Sequence, residues 1–80
     1  MKELAEGCIV HYVMPSGEHR PAIVVRVWDL EIANDGYVNL VVFVDGTNDI
    51  KPFTTTIWEP SVFFNDTDKP VGTWHWIERA

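Results

Sequence analysis

Short runs of β-branched and aromatic residues, separated by clusters of Gly, Pro, Asn and Asp, occupy most of this 80-residue chain. Runs of about four to eight such residues between turn-forming residues are typical of β-strands. We predict strands at residues 8–14, 22–29, 37–44, 53–58 and 73–78. Glu59-Pro60 is predicted to break the fourth run, and residues 61–64 form a further short run, which fits either a strand or a single helical turn. The pattern therefore predicts an all-β protein.

Helix is only weakly indicated. Residues 1–6 and 28–33 could each form a turn of helix, but neither approaches the roughly 12 residues that an isolated helix needs. The chain contains no internal repeat and no linker, so we predict one domain, residues 1–80. Five strands in so few residues predict a small SH3-like five-stranded barrel.

Composition limits the classes of partner. The chain carries six Lys plus Arg against twelve Asp plus Glu, a net charge of −6, which argues against an extended nucleic-acid surface. No apolar run approaches the roughly 20 residues of a membrane span. The single cysteine, Cys8, excludes an internal disulfide and suits a reducing cytoplasm. A chain this short has a small core, so we expect a homo-oligomer.

The second predicted strand places charge beside a flat ring. Because side chains alternate along a strand, one face is apolar and fits the core, and the other carries Arg26 and Trp28. The apolar face consists of Ile23, Val25 and Val27. An arginine next to a large aromatic can hold an anionic or planar ligand, although an arginine stem also packs on a tryptophan for structural reasons alone. His19 and Arg20 lie just before this strand and belong to the same candidate ligand site, together with Trp74 and Trp76 further along the chain.

Two tryptophans near the C-terminus allow alternative interpretations. Trp74 and Trp76 share a strand face. Together with Trp28 and Tyr12 they could form an aromatic platform on which a ligand stacks. They could equally fill the core of a small barrel or line a subunit interface.

The other chemistry-bearing residues support no further site. His11, His19 and His75 could act as metal ligands or acid–base groups, but they lie on separate segments without the close spacing of a metal motif. We therefore predict no metal site and no cofactor. The acidic run 45–49 fits a turn better than a calcium loop, which also needs a closing Glu. No serine or cysteine has a nearby histidine or carboxylate at a spacing typical of a catalytic nucleophile and its base, so we predict no catalytic residue.

Four segments carry a resemblance to a known group of proteins. They are residues 7–13, 15–25, 38–46 and 72–76, which include the unusual strings His-Arg-Pro-Ala and Thr-Trp-His-Trp. In these segments the chain resembles a family of small uncharacterised proteins encoded by tailed phages and prophages. The resemblance covers nearly the whole chain and implies a phage protein in the cytoplasm of an infected host cell, with no known chemistry.

A weaker similarity concerns toxin endoribonucleases of the PemK and MazF type, which are SH3-like barrels. Residues 7–13 and 20–25 match their opening: a glycine, an apolar strand, a loop, Arg-Pro-Ala and a second apolar strand. Those enzymes place a Ser or Thr after the second strand for cleavage, whereas residues 26–29 here read Arg-Val-Trp-Asp. The similarity supports the fold more than the activity.

Our first functional hypothesis is a non-enzymatic, homo-oligomeric binding protein that sequesters a small anionic, nucleotide-like ligand in host–phage conflict. An alternative is a structural or protein-interaction module, either a virion accessory or an inhibitor of a basic host protein. A MazF-like ribonuclease is the third hypothesis.

Overall fold

The computed structural model describes residues 3–28, 36–46 and 54–78 of the chain. The strands are β1 (Ile9–Val13), β2 (His19–Val27), β3 (Val38–Phe43), β4 (Thr56–Phe64) and β5 (Thr73–His75). They form one closed barrel in the order β1-β2-β3-β4-β5. The predicted all-β, five-stranded barrel is therefore confirmed, and its architecture is consistent with a small SH3-like barrel. In the described part of the chain, no helix could span a membrane.

Neighbouring strands from β1 to β4 pair in antiparallel fashion, and β5 closes the barrel. The short strand β5 pairs antiparallel with β1 on one side and parallel with β4 on the other. The turn between β1 and β2 contains Gly17 at φ 90°. A residue without a Cβ adopts this left-handed conformation readily. The turn sets a register in which Val13 lies opposite His19 and His11 lies opposite Pro21.

The core lies inside the barrel and combines aliphatic side chains with two aromatic ones. Its members are Val10, Tyr12, Met14, Ala22, Val24, Val38, Leu40, Val42, Val62 and Trp74. Trp74 is completely buried, and its indole Nε1 donates a hydrogen bond of 2.6 Å to the carbonyl oxygen of Gly36. This bond satisfies the one polar group of a large core side chain.

The strand β2 does not present the core face that its sequence pattern predicts. Ala22 and Val24 are buried, whereas Val25 is 45% exposed. The cause is the hairpin register, which turns Ala22 inward opposite Val10, together with a shift in pairing between Val24 and Arg26. Val24 pairs with Leu40 and Arg26 pairs with Asn39, so β2 advances two residues where β3 advances one. The strict alternation of inward and outward side chains along β2 is therefore lost beyond Val24.

The strand β4 continues through Pro60, where the sequence predicts a break. The run 61–64, ambiguous in the sequence, belongs to this same strand. The register with β3 shifts between Val38 and Leu40, and Ser61 has φ 57°. The buried side chain of Asn39 supports this irregularity, because its Oδ1 accepts hydrogen bonds from Ser61 N at 2.8 Å and Trp28 Nε1 at 3.0 Å.

The remaining element boundaries differ modestly from the prediction. β2 begins three residues early, at His19, and β5 ends at His75 instead of residue 78. Residues 3–6 contain no helix. Residues 29–33 of the possible helical turn, the start of the predicted fourth strand and most of the acidic turn 45–49 lie outside the described residues.

Candidate metal centre

Strand pairing brings the three histidines of this chain to one place. His11 on β1 lies opposite His75 on β5, and the β1–β2 hairpin places His19 two register positions from the partner of His11. The centroids of the His11 and His75 rings are 5.7 Å apart, and those of His19 and His75 are 4.7 Å apart. Residues distant in sequence thus form one imidazole cluster on three strands.

The carboxylate of Glu78 completes the cluster. Its Oε1 lies 2.5 Å from His19 Nδ1, 3.1 Å from His75 Nε2 and 3.5 Å from His11 Nδ1. Its Oε2 accepts a hydrogen bond of 3.0 Å from Lys69 Nζ. One carboxylate oxygen therefore faces all three imidazoles, and the other faces an ammonium group.

The cluster is buried on one side and open on the other. The His75 side chain is completely buried, whereas those of His11, His19 and Glu78 are 22%, 29% and 41% exposed. An ion or small molecule can therefore approach from the side of Glu78.

Electrostatics favours the metal-binding protonation states of Glu78 and His75. The hydrogen bond from His19 lowers the pKa of Glu78 well below its usual value, with further contributions from Lys69 and His75. Burial lowers the pKa of His75, and Glu78 offsets part of this effect. An ionised carboxylate and a neutral imidazole are the forms that coordinate a cation.

Two nitrogens of the cluster have no hydrogen-bond partner. His11 Nδ1 and His75 Nδ1 are both buried and unpaired. A buried polar group without a partner costs about 1–3 kcal/mol, so most such groups in proteins are satisfied. His11 Nδ1 faces Glu78 Oε1 at 3.5 Å, and a cation between the ligands would give this nitrogen a partner.

The donor set matches the preferences of a transition-metal ion. One ligand atom from each of His11, His19, His75 and Glu78 can be chosen so that all four lie within 4.8 Å of one another. Zinc binds imidazole nitrogen and carboxylate oxygen at about 2.0–2.2 Å, usually with four ligands in a tetrahedron. That geometry separates neighbouring donors by about 3.3 Å, so small side-chain adjustments would complete the site.

Sequence reasoning considered the three histidines but missed Glu78 and the cluster itself. Two signals were present. His75 and Glu78 are three residues apart, and a hairpin centred on the turn at 15–18 necessarily brings His11 and His19 onto neighbouring strands. The pairing of β5 with β1 had no such signal, because it joins opposite ends of the chain.

The six residues of the sequence-predicted ligand site lie in several environments. His19 belongs to the histidine cluster, and Trp74 belongs to the buried core, as one of the alternative interpretations expects. Trp76 is partly buried and meets Trp74 edge-on, with 5.1 Å between ring centroids. Because Tyr12 is also buried in the core, these rings form no exposed stacking platform.

Arg26 and Trp28 stay together at the other end of β2. The guanidinium carbon of Arg26 lies 4.0 Å from the ring centroid of Trp28. Arg20 lies opposite Tyr12 in the β1–β2 register, six positions before Arg26 in the same strand. The structure therefore brings together the pair of Arg26 and Trp28, at a location separate from His19.

Comparison with protein-family models, curated proteins and solved structures found no match to this chain. The geometry of the described residues is therefore the basis for a functional assignment.

Proposed function

We propose that this protein binds one divalent transition-metal ion through His11, His19, His75 and Glu78. The observation that supports this proposal is the convergence of three imidazoles and one carboxylate within 4.8 Å. The buried, unpaired Nδ1 of His11 adds to it, because a nitrogen in this environment benefits from a ligand. The proposal departs from the absence of a metal site expected from sequence spacing.

The ion would add a link between β5 and β1, which share only two register pairs. β5 has three residues, and only two register pairs connect it to each neighbouring strand. The proposed ligands come from β1, β2, β5 and the segment after β5. A bound metal links such segments directly, which small domains with limited cores often require.

Direct binding measurements test this proposal. We expect isothermal titration of the chelator-treated protein with Zn²⁺ to show one ion per chain, and native mass spectrometry to show the same stoichiometry. The variants His19→Gln and Glu78→Gln each remove one ligand on the exposed side of the cluster, so we expect each to weaken binding by about tenfold or more.

The matched control is Glu3→Gln, which removes an exposed glutamate outside the cluster. It should bind Zn²⁺ as the wild type does. If the wild-type protein binds neither Zn²⁺ nor Co²⁺ at micromolar concentrations, the cluster is only a hydrogen-bonded network and the proposal is wrong.

A second candidate function is the binding of a planar anionic ligand beside Arg26. Next to the Arg26–Trp28 pair, Tyr37 lies 6.5 Å from Trp28 and 4.4 Å from Phe63 between ring centroids. Phe63 is 59% exposed. We call Arg26, Trp28, Tyr37 and Phe63 the ring surface. A row of rings next to a guanidinium suits a nucleotide-like ligand, because bases stack on rings and arginine binds phosphate.

Calorimetry against adenosine diphosphate-ribose and cyclic oligonucleotides tests the ring surface. We expect binding to fall by about tenfold in Phe63→Ala, since stacking contributes about 1–3 kcal/mol per base. Phe43→Ala is the control, because Phe43 is 42% exposed and lies outside the ring surface. Equal affinities of the two variants, or no binding by the wild type, would exclude this function.

The described residues form no pocket, so the ring surface is open in that part of the chain. In the homo-oligomer expected from the sequence, a second copy of the chain would cover the ligand. The oligomer and the role in host–phage conflict stay predictions, and the same native mass spectra measure the number of subunits.

A further inference from the structure

The two oxygens of Glu78 have different partners. Oε1 faces the three imidazoles, and Oε2 accepts a hydrogen bond of 3.0 Å from Lys69 Nζ. A carboxylate held in this way directs one oxygen at the imidazoles, where a metal ion would bind, and the other away from them. Lys69 therefore affects which oxygen of Glu78 can bind a metal ion, in addition to stabilising the negative charge of Glu78.

The backbone at Lys69 is held by a compact turn. Asn65 Oδ1 accepts hydrogen bonds from the backbone N–H groups of Thr67, Asp68 and Lys69, at 3.1, 2.9 and 3.4 Å. Lys69 itself has φ 51°, a left-handed conformation uncommon for a residue with a side chain. The turn thus fixes the starting point of the lysine side chain before the chain enters β5.

We propose that Lys69 is a positioning residue that keeps Glu78 monodentate, so that the site selects a four-coordinate ion of the zinc type. This inference rests on the metal binding proposed above. Three imidazole nitrogens and one carboxylate oxygen make a complete tetrahedral set. With Oε2 bonded to Lys69, the cluster offers no fifth donor among the described residues.

The same arrangement disfavours the common oxygen-binding cations. Mg²⁺ requires near-octahedral coordination, and Ca²⁺ takes six to eight oxygen ligands. The cluster offers three imidazole nitrogens and a single carboxylate oxygen. Mg²⁺ and Ca²⁺ bind imidazole nitrogen poorly. Without the ammonium group, Oε2 becomes free to bind the ion as a second carboxylate donor, and coordination can rise above four.

The visible absorption of bound Co²⁺ reports this change directly. Four-coordinate Co²⁺ absorbs visible light strongly, five-coordinate Co²⁺ absorbs less, and six-coordinate Co²⁺ absorbs weakly. We expect intense absorption from the wild-type complex and a several-fold loss of intensity in Lys69→Met at saturating Co²⁺. Lys69→Arg keeps a cation next to Oε2 and should restore the wild-type spectrum.

Asp66→Asn is the control, because Asp66 Oδ1 lies 4.0 Å from Lys69 Nζ and is the lysine's other acidic neighbour. Its spectrum should match that of the wild type. If Lys69→Met keeps the intense spectrum, or if the wild-type complex already shows weak absorption, Lys69 does not set the coordination number. If the wild type binds no Co²⁺ and no Zn²⁺, the metal site itself fails.

Discussion

Saturating Zn²⁺ is expected to raise the midpoint of thermal unfolding of this protein by about 10–20 °C. A ligand that binds only the folded state stabilises it by about 2.7 kcal/mol at 100 times its dissociation constant. In a domain of about this size, each kcal/mol shifts the midpoint by about 4–8 °C. Because the proposed ligands belong to three strands and the segment after β5, they converge only in the folded barrel. Circular dichroism melts with Zn²⁺ and with a chelator measure the difference.

The variants separate specific stabilisation from a general effect of zinc. His19→Gln changes a side chain that is 29% exposed, so the barrel should fold without metal and lose most of the zinc-dependent shift. Glu3→Gln, an exposed position outside the cluster, should keep the whole shift. Identical melts of the wild type in zinc and in chelator would argue against a metal that joins the strands.

Replacing Trp74 by alanine is expected to destabilise the protein by about 3–5 kcal/mol, the usual cost of truncating a buried aromatic side chain. Trp74 is completely buried and packs against Phe64 and Trp76, with ring centroids 4.7 and 5.1 Å away. A domain of this length has about 4–12 kcal/mol of total stability, so the variant should approach or cross the unfolding threshold. Urea denaturation in the presence of a chelator measures the loss without any metal contribution.

Two comparison variants show the reason for this loss. Trp58→Ala removes the same side chain from a position that is 52% exposed, and should cost well under half as much. Trp74→Phe keeps a buried ring but removes the indole donor that bonds to Gly36 O, so it should cost about 1–3 kcal/mol. Equal losses in Trp58→Ala and Trp74→Ala would contradict the assignment of Trp74 to the core.

Local pattern predicted most of the strands because turn residues and β-branched runs alternate along this chain. Gly17 shows why this works, since its left-handed φ of 90° closes the β1–β2 turn with only local interactions. The prediction failed at Pro60, which lies within β4 instead of ending it. There the side chain of Asn39, from another strand, bonds to the backbone of Ser61 and supports the irregular pairing.

The local sequence pattern also failed to predict which face of β2 points into the core. Alternation predicted Val25 in the core, and it is 45% exposed. Register with β1 and β3 determines which face points inward, and a shift of one residue exchanges the two faces. The pair of Arg26 and Trp28 was found by sequence reasoning, because residues two positions apart in the chain need no tertiary information to meet.

The sequence by itself determined the fold class, all-β with short strands, because turn chemistry and strand propensity act between residues close in the chain. It also contained every residue of the proposed metal centre. Only the tertiary structure decided that His11, His19, His75 and Glu78 form one cluster, because the closing of β5 onto β1 brings opposite ends of the chain together. That contact depends on long-range pairing, which no local spacing in the sequence encodes.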